Sequence, residues 1–403
     1  MLLSGRKILL GVSGGIAAYK ACELVRELRR RDAQVRVMMT PSAREFVTPL
    51  TFAALSENPV LSDLFPDRGS AKIEHIDWSR WPEVIVVCPA TATTLARLAN
   101  GFADEPISAT IRAAQDIAVV LCPAMNSGMW EDRAVQANIA RLRDYGHRVV
   151  EPEFGAFATS TEGIGWGRLA RQESILLEIL MALHPEAPLQ DKKLLVTAGR
   201  TDEYLDPVRM LTNPATGKMG FALAEAGLAL GGKVTLIHGP TQLTPPVCAK
   251  TVPVVSASEM KVAVMEHYSG TDIVLMAAAV SDYRPTEIAT EKLKKSGEDL
   301  TLHLRRNDDI LELLGRQKRA ACHVGFAVET ENERAHAFEK LQRKKLDLVV
   351  LNNPKTPGAA FGHNTNQVVL LDAQGNVEEL PLLSKLEVAF RILNKTVELV
   401  NRR

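Results

Sequence analysis

Asn126 ends the run Val119-Val120-Leu121-Cys122-Pro123-Ala124-Met125-Asn126, where an apolar strand carries an amide to its carboxyl end. An amide donates and accepts hydrogen bonds, as recognition of a small polar substrate requires. Pro123 has no N–H, so it stops the ladder and leaves the next residues to shape a pocket floor. Asn is also a common helix cap, and an ordinary strand-to-helix turn accounts for it equally well. His75, in Glu74-His75-Ile76-Asp77-Trp78, is a general base, a role to which imidazole is suited, or a satisfied structural histidine. Cys88-Pro89-Ala90-Thr91-Ala92-Thr93-Thr94 puts small and hydroxyl residues at another strand end. Such residues let a flat ring approach the backbone, and a hydroxyl-capped helix start looks similar.

These residues need a sheet to position them. Residues 6–12 read as a strand, Ser13-Gly14-Gly15 as a turn, 16–31 as an amphipathic helix and 35–39 as the next strand. Apolar strands follow at 84–88 and 118–122, which predicts a doubly wound parallel sheet. The first turn, Gly11-Val12-Ser13-Gly14-Gly15, is not GxGxxG, and the second strand ends Met39-Thr40-Pro41-Ser42-Ala43-Arg44, without the acid that a dinucleotide ribose needs. Hydroxyls, backbone N–H groups and an Arg suit a phosphate monoester, so a mononucleotide such as FMN is expected rather than NAD. A βαβ turn with no ligand is the alternative.

His184-Pro185-Glu186-Ala187-Pro188 is Pro-rich and aperiodic and reads as a linker. The pattern then restarts: strands at 192–198, 233–238, 272–278, 323–328 and 346–351, and a helix at 216–230. Strands at 367–371 and 377–381 flank Asp372-Ala373-Gln374-Gly375-Asn376, a hairpin signal, and a helix starts at Ser384. The second half is therefore also α/β, with an antiparallel edge.

Bulk composition excludes several classes. The 403 residues carry 48 Lys+Arg against 48 Asp+Glu, so no global basic field collects nucleic acid. No apolar run is long enough to span a bilayer, and the first ten residues are too short and poorly flanked for a signal peptide. Five scattered cysteines (Cys22, Cys88, Cys122, Cys248, Cys322) form no CxxC and no zinc spacing, which implies reduced thiols and a cytoplasmic protein.

Gly11-Val12-Ser13-Gly14-Gly15-Ile16-Ala17-Ala18-Tyr19-Lys20, His75-Ile76, Pro89-Ala90-Thr91-Ala92 and Pro123-Ala124-Met125-Asn126…Met129-Trp130 together resemble the homo-oligomeric flavin-containing cysteine decarboxylases. The second half resembles phosphopantothenate–cysteine ligases. Its marks are Thr197-Ala198-Gly199, Asp206-Pro207-Val208-Arg209, Asn213, Thr216-Gly217-Lys218-Met219-Gly220 and Ala277-Ala278-Ala279-Val280-Ser281-Asp282. Lys292-Leu293-Lys294-Lys295, Gly325-Phe326-Ala327-Val328-Glu329-Thr330, Lys344-Lys345-Leu346-Asp347 and Phe361-Gly362 continue them. Thr216-Gly217-Lys218 is not a P-loop, because no GxxxxGK[ST] frame fits it. The fused order is that of the bifunctional coenzyme A biosynthesis family, phosphopantothenoylcysteine decarboxylase ahead of ligase.

That resemblance implies two Rossmann-like domains: a flavodoxin-like decarboxylase at 1–183, a linker at 184–190 and a mixed-sheet ligase at 191–403. It implies 4′-phosphopantothenate, cysteine, CTP and Mg²⁺ for the ligase, with no metal ligands assigned. Acyl-cytidylate formation is followed by displacement of CMP by the cysteine amine. In this pattern Asn213 stabilises the acyl-cytidylate, Lys292 offsets triphosphate charge and Asp282 contacts ribose or base. Phe326, Lys340 and Lys344 complete the nucleotide site, with backbone from Met276, Ala277, Ala278 and from Asp308, Asp309, Ile310 and Leu311. For the decarboxylase it implies FMN, held by Ser13, Gly14, Gly15, Thr40, Ser42, Thr91, Ala92 and Met125. Oxidation of the substrate thiol to a thioaldehyde gives the carboxylate an electron sink, and the enethiolate left after CO₂ loss is reduced and protonated. His75 is then the base and Asn126 the carboxylate ligand. A dodecamer is expected by analogy.

The chain departs from the family in its flap. Ala158-Thr159-Ser160-Thr161-Glu162-Gly163-Ile164-Gly165-Trp166-Gly167-Arg168-Leu169 puts Thr161 where relatives carry the Cys that protonates the enethiolate. A hydroxyl is a much weaker acid than a thiol. Glu162 or a remote Cys supplies the proton, or oxidised enethiol is released, or the half is an inactive flavin-binding scaffold on an active ligase. Arg200 and Asp202 stand where Pro and Arg are common, and Asn352-Asn353 where Asn-Asp is common.

Overall fold

Five of the six residues of β1 (Lys7–Val12) are fully buried, as expected of a strand covered on both faces in the middle of a parallel sheet. The computed structural model describes residues 3–65, 73–158, 161–247, 249–294, 300–317, 320–328, 333–352 and 362–402. Cys248, Lys295, Glu329, Thr330, Asn353, Phe361, Thr159 and Ser160, named above, lie outside the described residues. The chain divides into two units, 1–185 and 186–403.

After β1 the first unit runs α1 (Ala18–Arg30), β2 (Gln34–Met39), α2 (Pro49–Ser56), β3 (Val60–Leu61), α3 (Glu74–Arg80), β4 (Val84–Ala90) and α4 (Ala92–Ala99). It continues α5 (Pro106–Ala113), β5 (Ala118–Pro123), α6 (Ser127–Trp130), α7 (Arg133–Asp144) and β6 (Arg148–Val149). The strands pair in the order β3-β2-β1-β4-β5-β6, all parallel. The chain moves outward from β1 on one side and returns to β4 on the other, so the crevice beyond β1 and β4 is a topological switch point. A hairpin of β7 (Glu153–Ala156) and β8 (Ile164–Arg168) precedes α8 (Gln172–Ala182).

Two expectations shift here. Helix α1 starts at Ala18 rather than at 16, because residues 13–17 form the turn; Ala18, Ala21, Leu24, Val25 and Leu28 then make its buried stripe. Pro123 is still in the ladder, paired with Ala90, so it is the last residue of β5 rather than the first beyond it.

The second unit runs β9 (Lys193–Ala198), β10 (Asp202–Tyr204), β11 (Met210–Thr212), α9 (Lys218–Ala229), β12 (Lys233–His238), β13 (Lys250–Pro253), α10 (Ala257–Tyr268) and β14 (Ile273–Met276). It continues β15 (Tyr283–Pro285), β16 (Leu304–Arg306), α11 (Ile310–Arg316), β17 (Cys322–Val328), α12 (Glu333–Arg343) and β18 (Leu348–Asn352). Then come β19 (Thr365–Asn366), β20 (Val368–Asp372), β21 (Val377–Glu379), β22 (Leu383–Ser384) and α13 (Lys385–Asn401). The main sheet has the order β13-β12-β9-β14-β17-β18-β20-β21. It is parallel up to β18, then antiparallel. The expected hairpin forms around Asp372, whose carboxylate accepts from the backbone N–H groups of Gln374 and Asn376. The order again reverses beside β9, which makes the ends of β9 and β14 the second switch point. Among the described residues no helix is long and apolar enough to cross a membrane.

Candidate functional site

Beyond the carboxyl ends of β1, β4 and β5 lies a cavity of 540 Å³, within the roughly 300–1,000 Å³ of small-molecule and cofactor sites. Gly14, Gly15, Thr40, Ser42, Thr91, Ala92, Met125 and Asn126 all line it. Ser13 does not. It is fully buried, its hydroxyl donating to the Pro89 carbonyl at 2.7 Å and accepting from Thr91 N at 2.9 Å. Ser13 therefore braces the first turn against the end of β4.

The turn is built for close approach. A Cβ on Gly14 would come within 2.4 Å of Ser42 Cβ, so the backbone that follows β1 lies directly against the segment that follows β2. Thr40 caps that segment, accepting from Ala43 N at 3.2 Å, and Thr91 caps α4, accepting from Thr94 N at 3.4 Å. The N-terminal ends of α1 and α4 thus meet at the cavity, with Lys20 also lining it. Helix starts attract an anion. Small side chains leave the backbone open to a flat ring. The residues present fit a phosphorylated flat heterocycle.

One lining residue carried no sequence signal beyond a helix start. Glu105 precedes Pro106 at the head of α5, is only 6% exposed, and its Oε1 has no hydrogen-bond partner among the described residues. Burial pushes its carboxyl up, against the opposing charge of Arg97 and with the like charge of Asp104. An orphaned acceptor facing a cavity suits a ligand N–H.

Asn126 serves both readings of its sequence. Its Oδ1 accepts from Gly128 N at 2.9 Å to cap α6, while Nδ2 faces Glu162 Oε1 at 3.5 Å. The β7–β8 hairpin closes over this point. Met125 N donates to the Gly167 carbonyl at 2.9 Å, and Gly167 has a φ of +123° with Met125 O 2.3 Å from where its Cβ would be. Only glycine satisfies both conditions. Glu162 lines the cavity; Thr161 is exposed and does not. Among the described residues no cysteine lines it either. Cys88 and Cys122 are buried on neighbouring strands, and burial pushes the Cys122 thiol well up.

His75 is placed elsewhere. It sits half-buried on α3, outside the cavity lining, and its buried Nδ1 has no partner among the described residues. Helix α3 packs on α5 and is pinned by the Arg36 guanidinium, which stacks over Trp81 at 4.5 Å and Trp78 at 5.5 Å. The cavity lining of a single chain therefore does not include the expected base.

In the second unit, Asn213 Nδ2 donates to the Ala279 carbonyl at 3.1 Å, and Ala279 N donates to the Gly199 carbonyl at 2.8 Å. These bonds join three expected segments at the switch point. Ala278 N is bonded to Thr197 Oγ1, which itself donates to Met276 Sδ. Lys340 Nζ donates to the Phe326 carbonyl at 2.7 Å. Lys344, almost buried, pairs with Asp309 at 2.6 Å, and Asp308 pairs with Lys261 at 2.8 Å. The Ile310 and Leu311 side chains are core, so only their backbone can serve a ligand. Asp282 and Lys292 are exposed.

The Lys292 segment is anchored by a carboxylate that the sequence marked as part of a motif without assigning it a role. Asp206 is fully buried and accepts from Val208 N and Arg209 N at 2.8 Å each, from the Arg209 guanidinium at 2.7 and 2.9 Å, and from Leu293 N at 3.1 Å. Arg209 in turn donates to the Leu293 carbonyl at 2.6 Å. Burial alone raises the Asp206 carboxyl, but these donors hold it well below the usual carboxylate range. The two departures upstream compensate each other: Arg200 Nε lies 3.1 Å from Asp202 Oδ1, and Asp202 also accepts from the Thr212 hydroxyl beside Asn213. Asp202 is 3% exposed and presents no bare negative charge. Among the described residues no group of three or more His, Cys, Asp or Glu could hold a metal ion.

A model of the flavoprotein family matches residues 2–184, and a model of the DNA/pantothenate metabolism flavoprotein C-terminal domain matches residues 189–399. The coenzyme A biosynthesis bifunctional protein CoaBC of Bacillus subtilis (strain 168) is 45% identical over 99% of this chain and 98% of that protein. The protein of the same name from Vibrio vulnificus (strain CMCP6) is 41% identical over 98% of each. A crystal structure of the C-terminal domain of a coenzyme A biosynthesis bifunctional protein CoaBC is 40% identical, covers 54% of this chain and 100% of that one, and gives a TM-score of 0.47.

Proposed function

The chain belongs to the family of coenzyme A biosynthesis bifunctional proteins, a decarboxylase and a ligase on one polypeptide, and from there we propose how the two halves divide the work. Residues 191–403 join cysteine to 4′-phosphopantothenate with CTP and Mg²⁺. Residues 1–183 decarboxylate the product to 4′-phosphopantetheine with FMN, and 184–190 link them. The meeting of the Gly14-Gly15 turn, the Thr91 cap and Asn126 in one cavity carries the decarboxylase reading.

In the ligase, the carboxylate of 4′-phosphopantothenate attacks the α-phosphorus of CTP and pyrophosphate leaves. The cysteine amine then attacks the acyl carbon and CMP leaves. Asn213 steadies the acyl-cytidylate through its amide, and Lys292 offsets charge on the triphosphate. Lys340, Lys344, Asp309 and Phe326 frame the nucleotide, with Asp282 toward ribose or base and with the backbone of 276–278 and 308–311. Mg²⁺ is carried largely by the phosphates, as is usual for this ion.

In the decarboxylase, bound FMN supplies the reversible two-electron oxidation of the thiol-bearing carbon that gives the departing carboxylate its electron sink. Gly14, Gly15, Thr40 and Ser42 hold its phosphate at the helix starts, Thr91, Ala92 and Met125 shape the ring site, and Ser13 braces the turn from behind. Asn126 Nδ2 holds the substrate carboxylate, and the β7–β8 hairpin excludes water. His75 acts as base on a neighbouring copy's cavity within a homo-oligomer, a dodecamer by analogy. Its absence from its own cavity lining and the 59% exposure of nearby Ile73 support that arrangement.

The test is one-pot turnover of 4′-phosphopantothenate, cysteine and CTP, followed by mass spectrometry. Accumulation of 4′-phosphopantetheine is expected. If 4′-phosphopantothenoylcysteine builds up instead, the first unit is a flavin-binding scaffold behind an active ligase.

A further inference from the structure

The missing flap cysteine leaves the enethiolate without its acid, and Thr161 neither reaches the cavity nor gives up a proton readily. We propose that Glu162 is the catalytic acid of the decarboxylase unit, doing from the next flap position what a flap cysteine does in relatives. The proposal rests on the decarboxylase reading above.

Geometry singles it out. The titratable side chains lining the cavity among the described residues are Tyr19, Lys20, Arg97, Glu105, Glu162 and Arg168. Guanidinium groups do not release protons in proteins, which removes Arg97 and Arg168. Tyr19 and Lys20 are on α1, immediately after the Gly14-Gly15 turn, at the phosphate end. Glu105 sits at the head of α5, on an element other than the hairpin. Glu162 is the carboxyl that the hairpin itself carries, and its Oε1 stands 3.5 Å from Asn126 Nδ2, the group assigned to the substrate carboxylate. An acid beside that amide is beside the carbon from which CO₂ departs.

The protons balance between two groups and solvent. Oxidation of the substrate frees the thiol proton, which the base His75 takes and passes to solvent, while the Glu162 carboxyl carries a proton drawn from solvent. Loss of CO₂ leaves a C=C bond with sulfur as thiolate. The Glu162 O–H bond then breaks, its proton forms a C–H bond at the carbon that lost CO₂, and the electron pair of the C=C bond makes that bond while sulfur regains its double bond to carbon. The hydride exchange at the sulfur-bearing carbon belongs to the flavin, and a solvent proton completes the thiol.

The experiment feeds 4′-phosphopantothenoylcysteine to holoprotein carrying Glu162→Gln, Glu105→Gln or the pair Thr161→Cys/Glu162→Gln, with FMN content measured first. In Glu162→Gln, FMN content stays at the wild-type level. A single substrate pulse leaves the visible flavin band bleached, the released product is two hydrogens lighter than 4′-phosphopantetheine, and saturated product forms about 10²-fold more slowly. Thr161→Cys in that background restores saturated product and flavin colour. Wild-type product and colour from Glu162→Gln overturn the proposal, as does the bleached, lighter-product behaviour in Glu105→Gln alone. Should Glu162→Gln lose its FMN, Glu162→Asp decides: retention of saturated product supports the acid, and its loss with FMN bound counts against it. Wild-type protein that binds FMN but consumes no substrate sinks the decarboxylase reading, and this proposal with it.

Discussion

Asp206 gathers two backbone N–H groups of its own turn, one from the Lys292 segment and a forked guanidinium onto one buried carboxylate. Asp206→Asn keeps the shape and removes the charge that these donors converge on. Because misplacing a catalytic group by about 1 Å costs on the order of 10²-fold, ligation by this variant is expected to fall by about that factor. Decarboxylation of added 4′-phosphopantothenoylcysteine should stay at the wild-type rate, which a split assay checks. The depressed carboxyl also sets an acid dependence. Its contribution to stability is complete above the ordinary Asp value of about 3.9 and is lost as pH falls through the folded value. Denaturant unfolding should show a wild-type advantage over Asp206→Asn that is constant from neutrality to about pH 4 and shrinks below it. Glu105 has the opposite sign: its folded carboxyl is raised by burial, so it weakens the first unit as pH rises through that value, with Arg97 opposing and Asp104 reinforcing. Glu105→Gln is expected to raise the thermal midpoint of the first unit at pH 8 and leave it unchanged at pH 4, read by flavin release or circular dichroism. At this scale the sequence named the residues better than their settings. Asn126 was legible both as a cap and as a ligand; it caps α6 and lines the cavity. His75 was legible as a candidate base, but nothing in a linear chain tells that it is absent from the lining of its own cavity. Glu105 was passed over, and Asp206 was marked within a motif but given no role, because burial, not residue type, gives them their character.

The elements divide by length. Strands β1, β4, β5, β9, β12 and β17 carry enough buried apolar residues for periodicity to find them. Strand β3 and the β10–β11, β15–β16 and β19–β22 pairs have two or three residues per strand and offer no period. Helix starts shifted for a definite reason. Gly217 takes a φ of +86°, and a Cβ there would stand only 3.3 Å from the Gly199 backbone, so α9 begins after the turn. The same logic yields tests at two other glycines. Gly14→Ala forces the first turn off Ser42 and is expected to lower FMN occupancy of purified protein at least tenfold, at a cost of about 1.4 kcal/mol or more in binding. Gly167→Ala drives a methyl into the Met125 carbonyl. It should release the hairpin, slow decarboxylation and make the 157–167 segment more protease-sensitive, with ligation untouched.

For the whole molecule, the repeated α/β pattern on either side of a Pro-rich segment was visible in the chain, and the switch points of both sheets follow from strand order. Each family model matches one side of that segment. Separate sites make separable defects. Lys292→Ala is expected to abolish formation of 4′-phosphopantothenoylcysteine while the added compound is still converted, and Asn126→Ala to give the reverse, both read by mass spectrometry of one reaction mixture.

The buried Cys88–Cys122 neighbours and the lack of a thiol among the described lining residues also bear on chemical vulnerability. Soft electrophiles and peroxides attack exposed, ionised sulfur. Here the two strand cysteines are buried, with Cys122 held as thiol. Conversion of added 4′-phosphopantothenoylcysteine is therefore expected to persist after treatment with a thiol alkylator or peroxide, which a residual-activity assay checks.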